Sequence, residues 1–117
     1  MIQLAAQLTI YVAVAPVDFR KQIDGLAAVC REHLGADPMS GAVFIFVNKS
    51  KTSIRALTFD GHGYWLCTRR FSRGRVTHWP KTDGERLHPI AAHELSVLLY
   101  NGNPRWAHFA EPWRKVG

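Results

Sequence analysis

Between residues 42 and 79, four strand-like segments follow one another with links too short to hold a helix, and this restricts the topology of the chain more than any other feature. The segments are Ala42–Val47, Ser53–Phe59, Tyr64–Phe71 and Arg75–Trp79, each rich in β-branched and aromatic residues. Their links are Asn48 to Thr52, Asp60-Gly61-His62-Gly63 and Ser72-Arg73-Gly74. A parallel neighbour needs a crossover of a dozen or more residues, so these links admit only antiparallel neighbours and predict a meander.

On the N-terminal side, Leu8 to Val14 reads as a first strand that stops at Ala15-Pro16. Asp18 then stands where a helix N-cap would. Apolar residues follow at Phe19, Ile23, Leu26, Cys30 and Leu34, steps of three and four that place them on one helical face, and Gly35 supplies a C-terminal stop. Gly25 costs such a helix about 1 kcal/mol relative to alanine, which points to close packing against a strand. Asp37-Pro38-Met39-Ser40-Gly41 is a turn. Beyond the meander, Pro89 to Tyr100 reads as a second helix, with proline in its first turn and Asn101-Gly102 after its end.

These elements define an α+β fold, an antiparallel meander of about four to five strands packed with one or two helices. At 117 residues the chain has the size of a single domain, able to bury roughly two-thirds of its unfolded surface. The expected ordered core is 8–100, and the tail, 103–117, has no usable periodicity. Cys30 and Cys67 lie far apart without CxxC spacing, as small packing residues do, and fit a reducing cytoplasmic setting. No apolar run approaches the ~18 residues of a bilayer span.

Charge is distributed unevenly. Eight cations (Lys49, Lys51, Arg55, Arg69, Arg70, Arg73, Arg75 and Lys81) share residues 49–81 with one acid, Asp60, whereas the rest of the chain holds seven basic and eight acidic residues. The net charge of +6 is therefore a property of one segment, and polyanions are the partners such a patch attracts.

Catalytic patterns do not emerge. A two-metal nuclease centre needs several converging carboxylates, but Asp60 and Asp83 each precede glycine, where aspartate is an ordinary turn residue. The six histidines show no HExxH and no pairing with cysteine, and neither Ser40 nor Ser72 stands in Gly-x-Ser-x-Gly. No catalytic residue, metal ligand or cofactor is expected. Around Arg69, Arg70, Arg73 and Arg75, however, stand Tyr64, Trp65, Phe71 and Trp79. Guanidinium forks pair with phosphates and stack on bases, and aromatic rings stack unpaired bases, so nucleic acid suits this segment. An acidic protein partner, or a solvated outer face over an aromatic core, suits it too.

In this order the motifs resemble the TnpB-type accessory proteins encoded by the second reading frame of the IS-sixty-six class of bacterial insertion sequences. The resemblance begins with Pro16-Val17-Asp18-Phe19-Arg20-Lys21-Gln22-Ile23-Asp24-Gly25-Leu26, similar to the family's Pro-x-Asp-Met-Arg-Lys-x-x-Asp-Gly-Leu. It continues through Asp37 to Gly41, Phe44 to Lys49, Asp60 to Gly63, Arg70 to Arg75 and Trp79-Pro80. Phe19 stands for the usual methionine, Arg55 for a common lysine and Phe59 for a common tryptophan. The resemblance implies a role in transposition beside a separate transposase, with DNA and that transposase as partners, and carries over no catalytic residue. Within it, Asp18, Arg20, Lys21 and Asp24 are either a polar helix face or a surface that docks a partner.

Overall fold

The computed structural model describes residues 8–81 and 84–100. Asp83 and the tail lie outside them. Five strands and two helices alternate as β1 (Ile10–Ala13), α1 (Ile23–Glu32), β2 (Val43–Val47), β3 (Ser53–Phe59), β4 (Tyr64–Arg70), β5 (Leu87–Ile90) and α2 (Ala92–Leu99). The sheet order is β4-β3-β2-β1-β5. The α+β class, the strand count and the β2–β3–β4 meander agree with the sequence reading. The sheet is mixed, because β1 runs parallel to β2 with α1 as the crossover.

Alternation along each strand divides the core in two. On one side Ile10, Val12, Ile45, Val47 and Ile54 pack with Leu95 and Leu98 of α2. On the other, Phe44, Phe46 and Leu57 meet Leu26, Val29 and Cys30 of α1. Both faces of β2 are covered, which is why its sequence Val-Phe-Ile-Phe-Val is apolar throughout instead of alternating. Gly35 closes α1 as expected, in the left-handed conformation at φ +62°.

Four expectations need correction. Residues 75–79 form no strand. A strand there would have lain on the outer edge of β4 and left half its apolar side chains in water. Instead the chain crosses the α2 side of the sheet and buries Val76 (4% exposed) and Trp79 (6%). The fifth strand comes from Leu87–Ile90, where a helix start was expected at Pro89. Val14 donates its N–H to the Arg86 carbonyl, so hydrogen-bonded pairs alternate from there, and Pro89, opposite Tyr11, falls where its nitrogen faces away from β1. An edge strand tolerates proline in that place.

Asp18 is not a helix cap, the third correction. The N-cap of α1 is Gln22, and Asp18 closes a tight turn whose Lys21 N–H donates to the Asp18 carbonyl. Val17 is bridged to Asn48, which keeps the chain extended up to that turn and delays the helix. Finally, a Cβ on Gly25 would lie 2.8 Å from the Lys21 Cβ, so the crowding that glycine relieves comes from this turn and not from a strand.

A further correction concerns the cysteines, since only Cys30 is the packing residue expected of both. Cys30 is fully buried and burial pushes its thiol up to about 11, whereas Cys67 is exposed. A thiol reagent at neutral pH should therefore modify one cysteine per chain, and a second only in denaturant. Rapid native modification of both would contradict the buried position of Cys30. Because the folded-state value is raised from 9.0, the stabilising effect of the protonated Cys30 thiol is present below pH 9 and is lost as pH rises through about 11.

Candidate nucleic-acid interface

Backbone bonds gather three separated segments at one end of the sheet. Val17 donates to the Val47 carbonyl at 2.9 Å, Phe71 to Thr52 at 3.0 Å and Val76 to Lys51 at 2.7 Å. The turn at 17–21, the β2–β3 turn and the stretch after β4 thus lie side by side. Lys49 and Lys51 sit in the β2–β3 turn, and Arg69 and Arg70 end β4. Arg73 and Arg75 follow, both exposed. Lys81, also exposed, comes two residues after Trp79, whose indole Nε1 donates to the Ala13 carbonyl at 3.0 Å and ties this stretch to the end of β1.

Asp60, the one acid within 49–81, caps the far end of the β3–β4 hairpin. A seven-residue strand spans roughly 20 Å, more than twice the ~8 Å screening length of physiological salt. The cations are therefore not neutralised from within their own segment. The Asp60 carboxylate accepts from the N–H groups of His62 (2.8 Å) and Gly63 (3.0 Å) and from Trp65 Nε1 (2.8 Å). These bonds, the His62 N–H foremost, lower its pKa. It does the work of a turn residue, as its place before glycine implied.

Asn48 shapes the lysine turn, and sequence reasoning gave it no role. Its Oδ1 accepts from Thr52 (2.8 Å) and Ser53 (3.1 Å), while its Nδ2 donates to the Thr52 hydroxyl. Lys51 adopts φ +59° to close the turn, a conformation that non-glycine residues enter at a cost. Asparagine's habit of bonding nearby backbone in turns was the signal available.

Arg55 is placed differently from the other seven. Its Nη1 donates to the carbonyls of Phe19 and Lys21, both at 2.9 Å, and its Nε to the Thr68 hydroxyl at 3.1 Å. The guanidinium also lies 4.5 Å from the centre of the Phe19 ring. It clamps the 18–21 turn to the sheet, joining the two surfaces that the sequence presented as separate, and its donors are turned inward. Arg69 lies over Phe71 and Tyr100, 5.8 and 5.0 Å from their ring centres, which sets its charge beside a ring that is 77% exposed. Arg70 is exposed on the α1 side of the sheet, opposite Ser53.

In the 18–21 turn, Asp18 and Arg20 form a forked ion pair (Nη2–Oδ2 2.6 Å, Nε–Oδ2 2.9 Å), and the Asp18 carboxylate also accepts the Arg20 N–H. The side-chain bond from Arg20, then its N–H, hold Asp18 well below the usual carboxylate range, and Lys49 adds a small share. Lys21 and Asp24 are exposed. Beside them a cleft of about 500 Å³ opens between α1 and the 14–18 strand exit, with Lys49, Glu85 and Arg86 on its rim. Among the described residues no three of His, Cys, Asp and Glu converge, and no helix is long and apolar enough to cross a membrane.

Fold and site together define a small α+β protein: a five-stranded mixed sheet with one helix packed on each face, and with cations from separated segments collected at one sheet end. Residues 8–108 match the model of the family described as IS66 Orf2-like protein. The chain belongs to that family, and its process is transposition of an insertion sequence, in an accessory role. It is 32% identical to the uncharacterized protein y4hO of Sinorhizobium fredii (strain NBRC 101917 / NGR234) over the whole of both chains. It is also 37% identical to the uncharacterized protein y4jC of the same strain, over 85% of this chain and 83% of that one. No solved structure matches the chain.

Proposed function

We propose that the protein is a non-catalytic, cytoplasmic accessory factor that binds the DNA of its insertion sequence through the cationic end of the sheet. One observation carries this reading: Lys49, Lys51, Arg69, Arg70, Arg73, Arg75 and Lys81 converge at one sheet end while Asp60 stands at the other. Electrostatic attraction to phosphates needs such a patch and no base-specific geometry. Tyr100, held beside Arg69, adds a ring on which an unpaired base can stack.

If about five of these cations contact phosphates, log affinity falls with log salt at a slope of about −4 to −5. Replacing Arg70 and Arg73 together by alanine should flatten the slope by about 2. A filter-binding titration on duplex and single-stranded DNA measures both. Absence of binding at low salt removes the reading.

The cleft beside Asp18, Lys21 and Lys49 favours a second reading, an adaptor that docks the transposase there. In that case charge reversal at Lys21 and Asp24 abolishes co-purification with the transposase and leaves DNA affinity unchanged.

A further inference from the structure

β4 is an edge strand of unusual character. It pairs with β3 alone among the described residues, runs for seven residues without proline or lysine, and exposes Trp65 (43%) and Cys67. Proteins ordinarily blunt such edges with short strands, lysine, proline or a covering segment. The stretch after β4 does not cover it, because it turns beneath the sheet toward Lys51 and Ala13.

The hydrogen-bond register states which groups the edge offers. Phe71 N–H donates to the Thr52 carbonyl and Asp60 N–H to the Gly63 carbonyl. Hydrogen-bonded pairs alternate in an antiparallel ladder, so residues 65, 67 and 69 bond β3, while Tyr64, Leu66, Thr68 and Arg70 turn their backbone groups outward.

We infer that the outer edge of β4 pairs antiparallel with β4 of a second copy of this chain, about a two-fold axis at Cys67, to make a continuous ten-stranded sheet. With the axis there, all four outward residues find partners, Tyr64 with Arg70 and Leu66 with Thr68 of the second copy. Trp65 meets Arg69 of the second copy, and Cys67 meets its own counterpart. Each arginine of the strand thus lies opposite an aromatic ring, the arrangement that cation–π attraction favours.

Other registers lose this match. A slide of one residue sets outward groups against inward ones. A slide of two places both arginines opposite Cys67 and Leu66, or beyond the strand opposite Gly63 and His62. A slide of four sets Arg69 against Arg69. The charges of the hairpin agree with the symmetric register, because an antiparallel copy brings its Asp60 end beside the cationic end of the first. The two cationic ends then point in opposite directions along one sheet, giving two separated anion-binding surfaces per dimer.

Sedimentation equilibrium of the full chain should give twice the 13.2 kDa chain mass. A short bis-maleimide should link the natural chain through Cys67, since the counterparts in a non-hydrogen-bonded pair lie about 4.5 Å apart at Cα, and the link should vanish in Cys67→Ser with the mass still doubled. Cys67→Lys, which opposes two ammonium groups at the axis, should halve the mass while the far-UV circular dichroism stays the same. A monomeric natural chain overturns the inference, as does a dimer that survives Cys67→Lys and resists cross-linking at Cys67. Cross-linking of the natural chain decides without any variant, and a dimer that binds no DNA would uphold this inference while removing the DNA reading.

Discussion

Replacing Trp79 by alanine is expected to lower the free energy of unfolding by about 3–5 kcal/mol, the range for removing a buried tryptophan from a packed site. The ring is 6% exposed, packs in the α2-side core and donates from Nε1 to the Ala13 carbonyl at 3.0 Å. Domains of this size have about 5–15 kcal/mol in total, so the variant would stand near the limit of folding at room temperature. Trp79→Phe separates the contributions. It keeps most of the apolar volume but leaves the Ala13 carbonyl without its donor, and should cost about 1–3 kcal/mol. Chemical denaturation with matched slopes measures both, and a loss below about 1 kcal/mol for the alanine variant would contradict the anchoring role. Arg73, Arg75 and Lys81 belong to the stretch that Trp79 pins. DNA affinity should therefore fall with Trp79→Ala although the indole touches no phosphate.

Arg55→Ala is expected to cost about 2–3 kcal/mol through its charge-assisted bonds to the Phe19 and Lys21 carbonyls, together with the loss of the guanidinium from the Phe19 ring. Lysine should restore less than half of this, because a compact ammonium lacks the rigid, spread fork that reaches two carbonyls on one side and the Thr68 hydroxyl on another. The salt slope of DNA binding separates a structural clamp from a phosphate ligand. Loss of one phosphate contact reduces the slope by about 0.9, whereas for a clamp that touches no phosphate Arg55→Gln should leave it unchanged. A variant of full stability with a slope reduced by that amount would return Arg55 to the DNA surface.

The two predictions concern residues of the same cationic segment, 49–81, and they show how far the site was legible. Charge counting located the cationic stretch, since lysine and arginine announce themselves whatever the fold. It did not distinguish Arg55, whose carbonyl partners lie 34 and 36 positions away in the chain. Nor did it foresee that Asp18 and Arg20 would satisfy each other. Tyr100 appeared as the end of a helix, and only the return of α2 along the sheet sets it beside Arg69.

By itself the sequence determined whatever depends on neighbours within a few residues. That includes the buried strand β2, the β2–β3–β4 meander set by short links, the Asp60-Gly61 turn, the stop at Gly35 and the place of the charge. Only the tertiary structure decided between residues 75–79 and 87–90 as the fifth strand. Both stretches are short and partly apolar, and Pro89 argues locally against the second. The outcome rests on burial: Val76 and Trp79 fill a gap over the α2-side face, and the β1 edge accepts a proline whose nitrogen faces outward. Contacts between residues some 66 positions apart set that balance, and local propensity does not report them.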